Sequence, residues 1–282
     1  MMFEHLFWGR IPSSRKGMTA MTPQPVLFVS HGSPMLALEP PDHPYPLALR
    51  SFALGLPEPP KGVLVVSAHW QTATPQATGS AHPGVLHDFY GFPEALFALD
   101  YPAPGDPDLA RQVTQQLAAL GMGAALAPDR PLDHGAWAVL RHLFPQAEVP
   151  VVQVSLPRWE PADLVALGAA LRPFREAGIL ILASGGLVHN LRTADFSAPD
   201  TKVDPWARAA EAWFLERVFD GRREPLLDHR TQWPQSQLAA PTTEHLDPVF
   251  VALGAAQAGA TARTVFEGWQ LANMSLRCLA WE

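Results

Sequence analysis

The chain holds one cysteine, Cys278, in 282 residues. One sulfur closes no intramolecular disulfide and builds no thiolate cluster, so any bound metal must draw on His, Asp or Glu. Cys278 lies in an apolar stretch near the end of the sequence, where a small thiol reads as core filler. Cationic charge is scarce as well. Twenty Lys and Arg stand against 27 Asp and Glu, a formal net charge of -7. That balance offers nothing extra to a polyphosphate, and no nucleic-acid partner is expected. No apolar run reaches the roughly 18 residues that a membrane-spanning helix demands, so no membrane partner is expected either. P-loops, a GxGxxG following a strand and a GxSxG elbow are all missing, and "ASGG" at 183–186 is too short to cradle a phosphate.

The first 21 residues, "MMFEHLFWGRIPSSRKGMTAM", are basic and unlike the rest of the chain. They lack the apolar centre and small-residue cleavage site of a secretory signal. Residues 1–22 therefore read as an upstream extension, 23–282 as the body, and the cytoplasm as the expected location. The length suits one large domain or two small ones, with 48% of residues hydrophobic and 17% charged. No repeat, low-complexity tract or domain boundary interrupts the body, and the 30 prolines are spread throughout.

Four apolar runs have strand length: 25–30 ("PVLFVS"), 62–70 ("GVLVVSAHW"), 150–156 ("PVVQVSL") and 178–184 ("GILILAS"). They are rich in Val, Ile and Leu without strict polar alternation, as in strands buried on both faces of a mostly parallel sheet. Helical spacing marks 107–121, 135–144, 160–178, 204–221 and 242–257, with Asp204 as an N-cap, Pro205 in a first turn and a start near Thr or Glu in the last. Alternating strands and helices predict an α/β fold with one central sheet. Ligands of such sheets bind beyond the carboxyl ends of the strands.

Three of the eleven histidines stand where that rule points. His31 follows "VLFVS", His69 follows "VLVVSA" and His189 follows "ILILASGGLV". If the strands are neighbours, three neutral imidazoles converge, and imidazole is the commonest ligand for Zn and Fe(II). Each alone reads equally as a strand cap bonded to a carbonyl; three in matching places favour a metal site. Two further groups could complete it. "PLDHGAWAVL" carries His134 after Asp133, alternatively an N-cap followed by a surface turn residue. "PTTEHLDP" carries Glu244 and His245, alternatively a first-turn acid and its neighbour. His43, His82 and His229 read as solvated and His142 as a surface helix position. His87, in "LHDFYGFP", lines either a pocket or the core with Phe89, Tyr90 and Phe92. Trp70 and Trp137 either stack on a flat substrate or pack.

The motifs "HGSPM", "VVSAHW", "HDFYGFP", "YPAPGDP", "DHGAWAVL", "PVVQVSL", "ASGGLVHNLR" and "PTTEHLDP" succeed one another in a single order. Over roughly 25–277 the chain resembles the DOPA 4,5-dioxygenase family, within the class III extradiol ring-cleavage dioxygenases. The resemblance implies a single α/β domain with a divalent metal at the carboxyl edge of its sheet, Fe(II) for oxygenase activity with Zn2+ as a possible bound ion. It also implies a small aromatic catechol and O2 as the reaction partners. Matched residue by residue, His31, His69, His189 and His245 fall on metal positions. Related enzymes use two His and one Glu, which would make His189 an acid/base residue and Glu244 a ligand. His134 matches a substrate-side histidine with a catalytic role. Arg192 is placed to meet a substrate carboxylate, or is a surface arginine. Relatives often carry Asn where this chain has Gly186, a difference expected to loosen the His189 loop. The alternatives to ring cleavage are a zinc-dependent hydrolase on the same ligands and a non-catalytic binding protein on this scaffold.

Overall fold

A computed structural model of the chain describes residues 22–282. Residues 1–21, which carry His5 and nearly all of the expected extension, lie outside the described residues. The strands are β1 (Val26–Ser30), β2 (Gly62–Thr72), β3 (Gln76–Thr78), β4 (Ala125–Ala127), β5 (Val151–Pro157), β6 (Ile179–Gly185), β7 (Ala262–Phe266), β8 (Trp269–Gln270), β9 (Met274–Ser275) and β10 (Cys278–Trp281). Eight of them form one sheet in the order β4-β3-β5-β2-β6-β1-β10-β7. Its centre, β5-β2-β6-β1, is parallel throughout, and β10 and β7 add antiparallel strands at one side.

The sheet is covered on both faces, which is why its strands lack polar alternation. Successive side chains point to opposite sides. Phe28, Leu64, Val66, Val154 and Ile181 pack in one core, beneath helices 107–119, 161–171, 205–219 and 248–255. Leu27, Val29, Val63, Val65 and Leu182 pack in the other, beneath helices 44–54 and 134–143. The result is a single α/β domain of the predicted class. Cys278 is fully buried in β10, where burial pushes its thiol up to about 12, an inert filler.

Two helices differ from their predicted bounds. The 160–178 pattern is broken into Pro161–Leu171 and Pro173–Glu176, because Pro173 has no N–H to continue the ladder. The last begins at Pro248, not near Thr243 or Glu244. Pro248 suits a first turn, and the residues before it instead form turns in which Leu246 N and Asp247 N donate to the Thr243 carbonyl. Pro205 does open its helix, but Asp204 does not cap it through its side chain, whose Oδ2 accepts from Trp206 Nε1 at 3.2 Å.

Two histidines expected in solvent are core residues. His142 lies in a helix face against the sheet and donates from Nε2 to the Leu36 carbonyl at 2.8 Å. His229 is 2% exposed, with Nδ1 donating to Leu226 O at 3.2 Å and Nε2 unpartnered among the described residues. Burial and the adjacent Arg230 lower its pKa from 6.5 to about 4. A depressed histidine pKa means that the unfolded chain takes up the proton first, so stability is full above about pH 6.5 and falls as the pH drops towards 4. Allowing for solvent screening, the loss is expected to be roughly 1–2 kcal/mol. Urea midpoints measured between pH 7 and 4.5 should show it, and His229→Leu should lessen the slope; an identical slope in the variant would refute the assignment.

Candidate metal centre

Because β2, β6 and β1 are adjacent and parallel, their carboxyl ends share one edge. The ladder runs one step past β1, with His31 N donating to Gly185 O at 3.1 Å. His31 is thereby fixed at the rim. Gly32, at φ +59°, then turns the chain away in a conformation that glycine adopts without strain. His69 comes from an irregular stretch. Between Ser67 and Gln71, β2 advances four residues while β5 advances one, from Ser155 to Leu156. Such a bulge re-aims side chains, and here it turns His69 towards His31. His245 arrives from the turn before helix 248–255. Its carbonyl accepts from Gly186 N at 2.7 Å, and a Cβ on Gly185 would collide with that same carbonyl. A glycine at the end of β6 is what lets the His245 turn dock.

The ligand nitrogens of His31, His69 and His245 all lie within 4.8 Å of one another. Tautomers follow from their partners. Ser184 Oγ donates its one proton to Gly135 O at 2.6 Å, so it accepts from His31 Nδ1, 2.9 Å away. His31 Nε2 therefore presents a lone pair to the cluster. His245 Nδ1 donates to Glu244 Oε1 at 3.2 Å, and His69 Nδ1 faces Asp88 Oδ2 at 3.8 Å. All three rings thus turn Nδ1 outward to an oxygen and Nε2 inward, the outer-shell pattern of metal-bound histidine. His31 Nε2 and His69 Nε2 are 3.0 Å apart, a separation that suits two lone pairs sharing a cation. Two donors at right angles around an ion, each about 2.1 Å from it, stand about 3.0 Å apart. The donor set fits a divalent ion.

Electrostatics agree. Burial, reinforced by the neighbouring imidazoles, lowers the pKa of His31 and His69 well below the ordinary value and takes His189 to about 3. Neutral imidazole is the ligating form. Burial favours a neutral Glu244, but hydrogen bonds from His245 and Thr242 outweigh it and hold the carboxyl down to about 2. Glu244 stands behind His245 as its anionic partner and does not line the cavity.

His134 opens helix 134–143, which Asp133 caps by accepting from Ala136 N at 3.1 Å. The expected cap exists, but His134 is no surface turn residue: it is 5% exposed, its ring 3.9 Å from that of His69. Asp133 is itself held by Gln153, whose Oε1 accepts from its N–H and whose amide donates to its carboxylate. Helix and rings approach closely enough that a Cβ on Gly135 would press on Ser67 Oγ and come within 3.1 Å of His69 and 3.3 Å of His31. Asp88 Oδ1 accepts from both His134 N (3.0 Å) and His134 Nδ1 (2.8 Å). Although burial opposes ionisation, these bonds keep Asp88 below its ordinary value.

His189 also reaches the site. Its ring lies flat against His245, centroids 3.8 Å apart and planes 4° from parallel. Its loop is pinned through the backbone, with His189 N donating to Ala239 O at 2.8 Å, and Gly186 has room for a side chain. The three weaker pocket candidates lie elsewhere. His87 donates to Leu99 O at 3.0 Å and packs on Phe89 and Trp137, behind the cavity wall. Trp70, next to His69 on a strand, points away and lies under the Arg130 guanidinium, 5.2 Å from its ring centroid. Arg192 is exposed outside the cavity lining. Sequence reasoning missed Asp88 and Ser184. Asp88 sat inside the motif "HDFYGFP", but nothing local tied it to His134, 46 residues on. Ser184→Ala removes the acceptor that sets the His31 tautomer, and metal affinity is expected to fall about 10–100-fold, measurable by competition with a chelator of known affinity.

An array of inward-facing histidines at a sheet edge, under an apolar cavity of about 570 Å3, defines a metal-dependent α/β enzyme. Residues 25–275 match the family described as the catalytic LigB subunit of aromatic ring-opening dioxygenase, and the chain belongs to that family as an aromatic ring-opening dioxygenase. It is 36% identical over 256 residues to a 4,5-DOPA dioxygenase extradiol of Portulaca grandiflora, covering 86% of this chain and 90% of the relative. It is 36% identical over 265 residues to the protein of that name in Escherichia coli (strain K12), covering 90% and 93%. A crystal structure of an uncharacterized Escherichia coli K12 protein superposes with a TM-score of 0.76 at 28% identity, over 91% of this chain and 99% of that one. Among the described residues no helix is long and apolar enough to cross a membrane.

Proposed function

We propose that this enzyme opens a catechol ring beside its two hydroxyls with O2, using Fe(II) held by His31, His69 and His245. The observation that carries the reading is the meeting of those three donors on the floor of an apolar cavity. A bound Fe(II) supplies a site for both catechol oxygens and the redox chemistry with dioxygen. The chain's own residues do the rest. Phe89 and Phe92, 5.5 Å apart and edge to face, form a wall against which a flat ring can lie, and they help exclude water. His134 donates Nδ1–H to Asp88, so its Nε2 is the free acceptor for a catechol proton, and the Asp88 carboxylate stabilises the imidazolium that results. His134 returns that proton as the ring opens. His189, held neutral by its burial and by His245, covers the ligand ring and closes the cavity beside it.

The test is anaerobic loading with Fe(II), then addition of oxygen and a panel of catechols. Stoichiometric oxygen uptake and a yellow muconic semialdehyde product are expected with iron, and neither with zinc. Ester or amide hydrolysis by the zinc form, with no oxygen uptake by the iron form, would overturn the proposal.

A further inference from the structure

The mouth of the cavity has a character that the metal centre does not require. Tyr90 is 91% exposed, Phe196 74% and Leu191 53%, and all three line the cavity. They come from two separate segments of the chain, one following Asp88 and the other following His189. Met35 and Met274 add soft apolar surface further in. Large apolar side chains gathered at one exposed place mark a surface that a ligand covers. Charge is absent in a telling way. Among the described residues no Lys or Arg lines the cavity, and its one carboxylate, Asp88, already faces His134 and His69. A carboxylate carried in on a substituent, away from the metal-binding end of the ring, would leave water without gaining a cationic side chain, beside an acid that repels it. The net charge of -7 draws no anion towards the opening.

We infer that the preferred substrate is a neutral catechol bearing an apolar substituent, which reaches out from the ring to lie against Tyr90, Leu191 and Phe196. An amino-acid or carboxylate-bearing catechol fits less well. This rests on the ring-cleavage reading and adds the substrate class. The wall selects by contact area: each methylene brought under the rim leaves water, whereas the histidines below treat every catechol alike.

Three probes decide it: 4-butylcatechol, 3,4-dihydroxyphenylacetate and DOPA. Each is measured twice, by kcat/KM with the Fe(II)-loaded enzyme and by equilibrium dialysis under anaerobic conditions. Butylcatechol is expected to lead both others by about 10-fold or more in each measurement. Phe196→Ala and Leu191→Ala should reduce the ratio of butylcatechol to dihydroxyphenylacetate by about 3–10-fold. Both positions are exposed, so the core is spared. Phe196→Arg should shift the ratio towards dihydroxyphenylacetate. Ring opening with DOPA or the anion equal or preferred overturns the inference and leaves ring cleavage standing. If that preference disappears in Arg192→Ala, the counter-ion is Arg192. Failure to open any of the three overturns the ring-cleavage reading instead. Dialysis then decides the cavity's preference by itself: the expected order of binding supports it, and any other order overturns it.

Discussion

His31→Ala yields a folded protein that retains no divalent ion through dialysis and opens no catechol ring. His31 is central to the cluster, its ring 4.8 Å from His69, 5.2 Å from His245 and 5.6 Å from His134. Its tautomer is set by Ser184 and its backbone by Gly185, so it reaches the ion pre-oriented. Taking one ligand from three leaves two donors on different elements, and affinity is expected to fall at least about 100-fold. Turnover should fall in proportion to lost metal, and excess Fe(II) should restore little of it. The fold should survive, because the residue lies beyond β1 and outside both apolar cores. Elemental analysis, far-ultraviolet circular dichroism and oxygen uptake on one preparation settle the matter. Metal retained at full stoichiometry with undiminished turnover would remove His31 from the ligand set.

How much of this could be seen beforehand depends on the physical range of each signal. The four central strands were legible because burial on both faces demands uninterrupted Val, Ile and Leu, and chain-local composition records it. The strands flanking that centre were not. β3 and β4 have three residues each and β10 four, too few for any periodicity to emerge, and they exist because a neighbouring strand offers its free edge. His31 and His69 were legible through strand ends. His245 was legible only as one of the further groups that could complete the set, and the motif resemblance alone put it on a metal position, since its place depends on a turn docking against Gly185 from 60 residues away. The pairings His31–Ser184 and His134–Asp88 join distant parts of the chain, and no local pattern announces them. His142 and His229 misled for a related reason. Their neighbours are polar or helical in sequence, but packing turned each ring inward. Trp70 misled through parity: beside a site residue on a strand, it faces the other way.

The Asp88–His134 pair yields the second large effect. His134→Ala should lower kcat by about 10²–10⁴-fold, the usual worth of a positioned proton acceptor, with metal content within about twofold of the parent. The same substitution at a ligand loses both together, so the pattern separates proton transfer from metal holding. Asp88→Asn asks the finer question. A carboxylate accepts from His134 Nδ1–H and leaves Nε2 free to receive a proton. An asparagine amide can donate to Nδ1 instead, which moves the ring proton to Nε2, the face turned to the substrate. The variant would then have its histidine in place but in the wrong tautomer, a change that costs about 10⁴-fold in a serine protease triad. The expected signature is a fall in kcat with KM and metal content nearly unchanged, and no rescue by added Fe(II). His189→Ala supplies the contrast. Its ring is neutral with a pKa near 3 and stacks on His245, so its loss should disturb metal affinity and KM more than kcat. If His189→Ala instead lowers kcat as far as His134→Ala does, with metal retained, proton transfer belongs to His189 or is shared, and the Asp88–His134 pair is a positioning device.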